Sequence, residues 1–161
     1  KDALGAVFSS PAAASGWLVV TGAVLWSTRF SRGDRQEIGV WDAVWIGMAQ
    51  AFAVLPGISR SGMTISTGLW RGVDGREVAV FSFLLSIPVI LGATALKVGE
   101  LAAHPPARET LMPMVVGMVV AYGSGVVAIR WLLALLQGGR LDRFSYYCWA
   151  VGLLGLAVFW R

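Results

Sequence analysis

Charged residues are scarce in this sequence. Aspartate, glutamate, lysine and arginine make up 14% of its 161 residues, whereas 57% are hydrophobic. A soluble domain carries about 25% charged residues, so the composition excludes an ordinary soluble domain and predicts an integral membrane protein. Several of the eight tryptophans lie near the ends of apolar runs, as expected of side chains that anchor helices at a membrane interface.

Reactive side chains are also few. Cys148 is the single cysteine, which excludes a disulfide framework and a thiol-metal site, and we interpret it as a packed apolar residue. The single histidine, His104, is expected to be a solvated loop residue. The basic residues are spread over short connectors, which predicts topology control and no nucleic-acid partner. No signal peptide is visible, and the start at Lys1 looks cut from a longer protein.

Carboxylates are missing from the apolar runs. They fall at predicted helix ends or in connectors, namely Asp42, Asp74, Glu77, Glu100 and Glu109. Catalysis of hydrolysis needs a nucleophile or an activated water, often with a metal ion, and serine without a partnered base is a weak nucleophile. The sequence therefore predicts a binding half-site without a complete catalytic set, and it predicts no metal site within this chain.

Four apolar segments reach or approach the roughly 17 to 25 helical residues that cross a bilayer. They cover residues 11 to 28, 78 to 100, 111 to 129 and 145 to 160. Pro88 is expected to kink the second segment. The four-residue spacing of Gly117, Ala121 and Gly125 predicts close helix packing in the third. The predicted fold is an all-α integral membrane protein, with a single membrane domain over residues 1 to 161.

A shorter apolar stretch, residues 43 to 56, ends at Pro56 and Gly57, and a second short piece covers residues 63 to 70. Proline interrupts helical hydrogen bonding, and glycine permits dihedral angles that other residues avoid. We predict a re-entrant pair of half-helices over residues 42 to 71, with protein or a water-filled cavity satisfying the backbone at its tip. If both ends lie on one face, that face carries seven arginines against four basic residues opposite, which places it in the cytoplasm.

The tip of this element holds a single arginine, Arg60. A guanidinium is permanently charged and matches two phosphate oxygens, and a cation at membrane depth is costly enough to indicate function. The helix predicted to start near Ser61 adds unpaired amides and a positive dipole end, so the region is a candidate oxyanion or phosphate cradle. The candidate catalytic residues are Arg60, Ser59, Ser61 and Thr64, and the candidate substrate-binding residues are Arg60, Gly57, Gly62 and Gln50.

Each of these residues also has a structural interpretation. Serine and threonine in membrane helices commonly bond to their own backbone. Arg60 could hold the loop by pairing with carbonyl groups, and Gln50 could join two helices. Trp70 and Arg71 are expected to anchor the helix at the interface rather than to contact substrate.

The stretch AQAFAVLPGISRSGMTISTGL, residues 49 to 69, resembles the PGxSRSxxT motif region of the bacterial undecaprenyl-diphosphate phosphatase family of the bacitracin-resistance type. The resemblance continues through FSFLLSIPVILGATAL, residues 81 to 96, and covers most of the chain. It implies a multi-pass enzyme of the bacterial inner membrane that converts undecaprenyl diphosphate to the monophosphate carrier used in peptidoglycan synthesis. It also implies an inverted repeat of two broken elements, an active site open to the extracytoplasmic side and dependence on Mg or Ca. The motif positions are Pro56, Gly57, Ser59, Arg60, Ser61 and Thr64, with Arg60 as the diphosphate ligand.

The family's other motif, with paired glutamates and a Ser/His pair, has no counterpart in residues 1 to 35. We therefore expect this chain to be the C-terminal part of the enzyme and inactive by itself. The nucleophile and the ligands of the divalent cation are then expected in a missing N-terminal half. A half-length protein that pairs with a second chain is the alternative, and a homodimer also stays open.

Two other functions stay open. Broken helices and inverted repeats also build the substrate sites of secondary transporters, so the fold could flip a lipid phosphate. A catalytically silent half could bind lipid phosphate or a partner helix. Phosphate release from undecaprenyl diphosphate distinguishes the enzyme from both.

Overall fold

The computed structural model describes residues 10–31, 33–103, 108–137 and 141–159, and these residues are predominantly helical. A short 3-10 turn at Thr28–Phe30 follows the helix that ends at Ser27, and another at Leu141–Arg143 precedes the helix that begins at Phe144. The described residues contain six α-helices, which are α1 Pro11–Ser27, α2 Val40–Phe52, α3 Arg60–Trp70, α4 Gly75–Ala103, α5 Arg108–Gln137 and α6 Phe144–Phe159. The predicted all-α class is confirmed for the described residues.

Two helices are long and apolar enough to cross a membrane, within the described ranges: Gly75–Ala103 and Glu109–Ala134. The second has no buried residue in its most apolar stretch, so its apolar side chains need lipid or further protein to cover them. The other two predicted spans, α1 and α6, are helices of 17 and 16 residues. Four crossings are therefore not established, while two are supported.

The two long helices, α4 and α5, extend further than the sequence predicts. The third predicted span continues past residue 129, through Arg130, to Gln137. The polar connector predicted at residues 101 to 110 is shortened from both sides by α4 and α5, and α4 runs on through Pro88. The loop assigned to His104 lies outside the described residues.

Helix α1 packs closely along α6. A Cβ atom added at Gly152 would lie 2.8 Å from Val19 Cγ2 and 3.0 Å from Ser15 O, so glycine lets the two backbones approach. The Trp149 indole N–H donates to the Val19 carbonyl at 3.1 Å across the same interface. In contrast, a Cβ atom at Gly117 or Gly125 would meet nothing within 4 Å. Among the described residues, close packing through small residues thus lies between α1 and α6, and the close packing predicted for α5 stays a prediction.

The core lies where α1, α2, α3 and the start of α4 meet the end of α5 and the start of α6. It contains Leu25, Ile46, Ile65, Val73, Val78, Ala79, Leu136, Leu141 and Cys148. Cys148 is 6% exposed, which confirms its interpretation as a packed apolar residue.

Asp42 lies in the first turn of α2, at the end of a helix as predicted, and its side chain is buried. Its Oδ1 accepts from Arg71 Nε at 2.8 Å, and its Oδ2 pairs with an Arg35 guanidinium nitrogen at 2.8 Å. The Arg71 hydrogen bond holds the pKa of the Asp42 carboxyl below its ordinary value, although burial acts in the opposite direction. Arg71, expected to be an interface anchor, therefore joins the start of α2 to the end of α3, and both basic partners stay about half exposed.

Candidate functional site

The element formed by α2 and α3 is broken at residues 53–59. Helix α2 stops where the Ala53 N–H donates to the carbonyls of Ala49 and Gln50, and Ile58 N–H closes a turn onto Leu55 O at 3.1 Å. Pro56 and Gly57 lie inside this turn, as their residue types predict. The predicted break is confirmed, and α2 and α3 pack against each other on either side of it.

Gly57 is required at this break for two reasons. Its φ angle is +92°, a conformation that other residues adopt at a cost. A Cβ atom would also lie 2.0 Å from the Ala14 carbonyl oxygen of α1. Gly57 was predicted to let a ligand approach the backbone, whereas in the structure it lets α1 approach the break.

Thr21 of α1 holds the second half of the break, next to α3. Its hydroxyl donates to the Gly57 carbonyl and accepts from the Ser59 N–H, each at 3.2 Å. Its side chain is buried, with 1% exposure. Thr21 therefore fixes the backbone immediately before Arg60 through its donor and acceptor together.

Replacing Thr21 with valine is expected to lower the free energy of unfolding by about 1 to 3 kcal/mol, because the Gly57 carbonyl and the Ser59 amide lose their partner at nearly constant volume. Thermal unfolding in detergent measures the effect, and Thr21→Ser, which keeps the hydroxyl, is the matched control. A valine variant as stable as the serine variant would contradict this role of Thr21.

Ser59 and Gly62 start helix α3. Ser59 Oγ accepts from the Gly62 N–H at 3.1 Å, and the Ser59 carbonyl accepts from the Met63 N–H at 2.9 Å. This is the N-cap arrangement, in which a serine side chain satisfies an otherwise unpaired amide. The Gly62 amide, predicted to come close to a ligand, instead donates to the Ser59 side chain at the start of the helix.

Thr64 also uses its hydroxyl internally. It is 1% exposed, and its Oγ1 approaches the carbonyl oxygens of Arg60 at 3.0 Å and Ser61 at 3.2 Å. This is the bonding back to the helix that was the structural alternative. The hydroxyl proton of Thr64 is therefore engaged and not free for a ligand.

A cavity of about 520 Å³ opens at the break. Helix α4 supplies a third wall through Ser82, Phe83 and Ser86, opposite the residues of α2, the break and α3. The cavity brings together five candidate residues, Gln50, Gly57, Arg60, Ser61 and Thr64. Ser59 and Gly62 instead line a smaller pocket beside Leu25, with Ser61 adjoining both.

Arg60 is the first residue of α3 and is exposed. Its guanidinium has no hydrogen bond or ion pair with any residue in the described ranges. The N–H groups of Arg60 and Ser61 also have no acceptor among the described residues, as the first amides of a helix lack an intrahelical partner, whereas Ser59 binds the next two amides. A guanidinium and the positive end of a helix repel each other, so an anion between them is favoured by both.

The lining of this cavity, as far as the structure describes it, contains no aspartate, glutamate, histidine or lysine. The described residues also form no cluster of three or more side chains able to hold a metal ion. These residues therefore fit an anion and do not fit a divalent cation.

The sequence indicated Arg60 and the break but not their supports. Thr21 and Ser82 were missed because each is a single hydroxyl residue within an apolar run, and no local pattern shows which element it faces. Only the helix packing brings Thr21 to the break and Ser82 to the cavity wall.

Residues 1–154 match the family described as Bacitracin resistance protein BacA. The chain belongs to this family. Among the similar proteins, an undecaprenyl-diphosphatase of Desulfatibacillum aliphaticivorans is 44% identical over 151 residues, 91% of this chain and 53% of that protein. An undecaprenyl-diphosphatase of Carboxydothermus hydrogenoformans is 39% identical over 163 residues, 98% of this chain and 62% of that protein.

One similar protein is close to this chain in length. The undecaprenyl-diphosphatase of Methanothermobacter thermautotrophicus is 44% identical over 164 residues, 98% of this chain and 90% of that protein. The chain thus spans about half to two thirds of the first two relatives and nearly all of this third one. The family suggested by the sequence is confirmed, and with its two apolar helices the chain is a membrane protein.

Proposed function

We propose that this chain supplies the phosphate-binding half-site of an enzyme that hydrolyses undecaprenyl diphosphate to undecaprenyl phosphate and inorganic phosphate. The observation that carries the proposal is the Arg60 guanidinium, which adjoins a cavity and has no partner among the described residues. The names of the relatives support the same substrate, since all three are undecaprenyl-diphosphatases.

Arg60 would bind the terminal phosphate through two parallel N–H donors, the geometry in which guanidinium pairs with phosphate. The amides of Arg60 and Ser61, which the cap leaves unpaired, and the Ser61 hydroxyl would donate to other oxygens of the diphosphate. In the transition state the charge of the transferred phosphoryl group is spread over its oxygens, so these groups would lower the barrier as well as bind the substrate.

The polyprenyl chain would leave the cavity along apolar surface. Val54 and Leu55 of the break and Phe83 of α4 line the cavity beside its polar groups. Beyond it, the later turns of α4 expose apolar side chains, including Ile87, Ile90 and Leu91. A lipid with a diphosphate head matches this change from a charged site to an apolar surface.

The attacking group and the divalent cation, Mg or Ca, would come from outside this chain's described cavity lining, since that lining lacks carboxylate and imidazole groups. We place these groups in an N-terminal half or a second chain. The enzyme would lie in the inner membrane with the cavity open to the extracytoplasmic side, where the carrier is released for reuse in cell-wall synthesis.

Complementation tests the proposal. The chain is produced in membranes alone, or together with the part of the Carboxydothermus relative that it does not match, and phosphate release from undecaprenyl diphosphate is measured. We expect release only from the combination, and none from undecaprenyl phosphate, which has no anhydride bond. A combination that moves the lipid between leaflets without releasing phosphate would contradict hydrolysis and favour the transporter.

A further inference from the structure

Ser82 carries a hydroxyl group that the structure leaves unused. The side chain lies on α4 and is 5% exposed. Within the described ranges, Ser82 and Ser66 are the two residues whose buried side-chain oxygen has no hydrogen-bond partner. A buried hydroxyl without a partner loses its hydration without compensation, so such a group in a native structure calls for a specific explanation.

A serine in a helix commonly donates its hydroxyl to a backbone carbonyl of the preceding turn, and Ser82 makes no such bond. Ser86, one turn later, donates to the Phe83 carbonyl at 2.7 Å, and Thr67 of α3 donates to the Met63 carbonyl at 2.8 Å. Both hydroxyls are thereby satisfied within their own helices. Ser82 is oriented differently, and it lines the cavity that also contains Arg60.

We propose that Ser82 is a further phosphate ligand, whose hydroxyl donates to an oxygen of the diphosphate bound by Arg60. A serine hydroxyl offers one donor, and a hydrogen bond to an ionised oxygen is stronger than one to a neutral group. Ser82 approaches from α4 and Arg60 from α3, so together they hold the phosphate from two elements. No base adjoins Ser82 in the described cavity lining, which makes it a ligand rather than a nucleophile.

The inference rests on the proposed function, because it adds a ligand to the same phosphate. It also explains the energetic cost of the unpaired hydroxyl. The cost is borne in the free protein and is recovered when an anion enters, so the group favours the bound state.

Isothermal titration of inorganic pyrophosphate into the detergent-solubilised chain tests the assignment. Ser82→Ala is expected to weaken binding about 10-fold, in line with the loss of a hydrogen bond to a charged group. Ser66→Ala is the matched control, because Ser66 is likewise buried and unpartnered but is not among the residues that line this cavity. It should bind pyrophosphate as the unaltered chain does, and Ser82→Thr, which keeps a hydroxyl, should retain most of the affinity.

Each outcome decides the assignment. If Ser82→Ala binds within twofold of the unaltered chain while Arg60→Gln binds weakly, the role of Ser82 is wrong and the proposed function stands. If Ser66→Ala weakens binding as much as Ser82→Ala, the effect is general loosening and the role is wrong again. If Arg60→Gln has no effect, the proposed function fails as well. Should Ser82→Ala not fold, Ser82→Cys keeps nearly the same volume with a weak donor and is expected to show the same loss of affinity.

Discussion

Replacing Arg60 with alanine is expected to lower phosphate release from undecaprenyl diphosphate by about 10² to 10³-fold, the effect typical of removing one group that stabilises transition-state charge. Folding should be unaffected, because the guanidinium is exposed and contacts no described residue through a hydrogen bond or ion pair. The measurement is the rate of phosphate release by the complemented enzyme, with the thermal unfolding temperature recorded for each variant.

Two further variants test whether the charge, the planar geometry or the position of Arg60 matters for activity. Arg60→Lys keeps the charge and loses the planar fork, so most of the activity should be lost. Arg76→Ala removes an exposed arginine of α4 that does not line the cavity, within the described residues, and it should behave like the unaltered enzyme. Full activity in Arg60→Lys would show that charge suffices, and full activity in Arg60→Ala would remove Arg60 from the mechanism.

Gly57→Ala is expected to destabilise the fold by about 3 kcal/mol or more, since it combines an unfavourable positive φ with a steric clash. The added methyl group would lie 2.0 Å from the Ala14 carbonyl, which is backbone and cannot rotate away. The break would then separate from α1, and the Thr21 hydrogen bonds to Gly57 and Ser59 would be lost with it. Unfolding in detergent and the yield of folded protein measure this.

Gly72→Ala separates the two causes. Gly72 also has a positive φ, +79°, but a Cβ atom there would meet nothing within 4 Å. Its replacement should therefore cost about 1 to 2 kcal/mol, the strain of the backbone conformation without the clash. Equal losses of stability for the two variants would show that the contact with the Ala14 carbonyl of α1 adds nothing to the cost of Gly57→Ala.

The sequence predicts the break well because local chemistry decides it. Pro56 and Gly57 interrupt the helix in any surroundings, and α3 begins at Arg60, one residue before the predicted start near Ser61, because the Ser59 side chain caps it. The helix ends at Gln137 and Ala103 were not predicted, because apolar helices continue through arginine and alanine without a local stop signal.

The roles of the hydroxyl and carboxyl groups depend on packing and could not be read from local patterns. Ser59 and Thr64 carry the right chemistry for a phosphate site, yet their side chains serve the start of α3. Asp42 looks like an ordinary helix-start residue, and its partners Arg35 and Arg71 lie in other segments. Only the three-dimensional arrangement reveals these contacts.

The central claim, that Arg60 binds the phosphate head of a polyprenyl lipid, is tested most directly by an experimental structure with a non-hydrolysable undecaprenyl diphosphate analogue. The account predicts two guanidinium nitrogens about 2.7 to 2.9 Å from oxygens of the terminal phosphate, in the cavity between the break and α4. A head group bound elsewhere, with Arg60 still free of phosphate contacts, would contradict it.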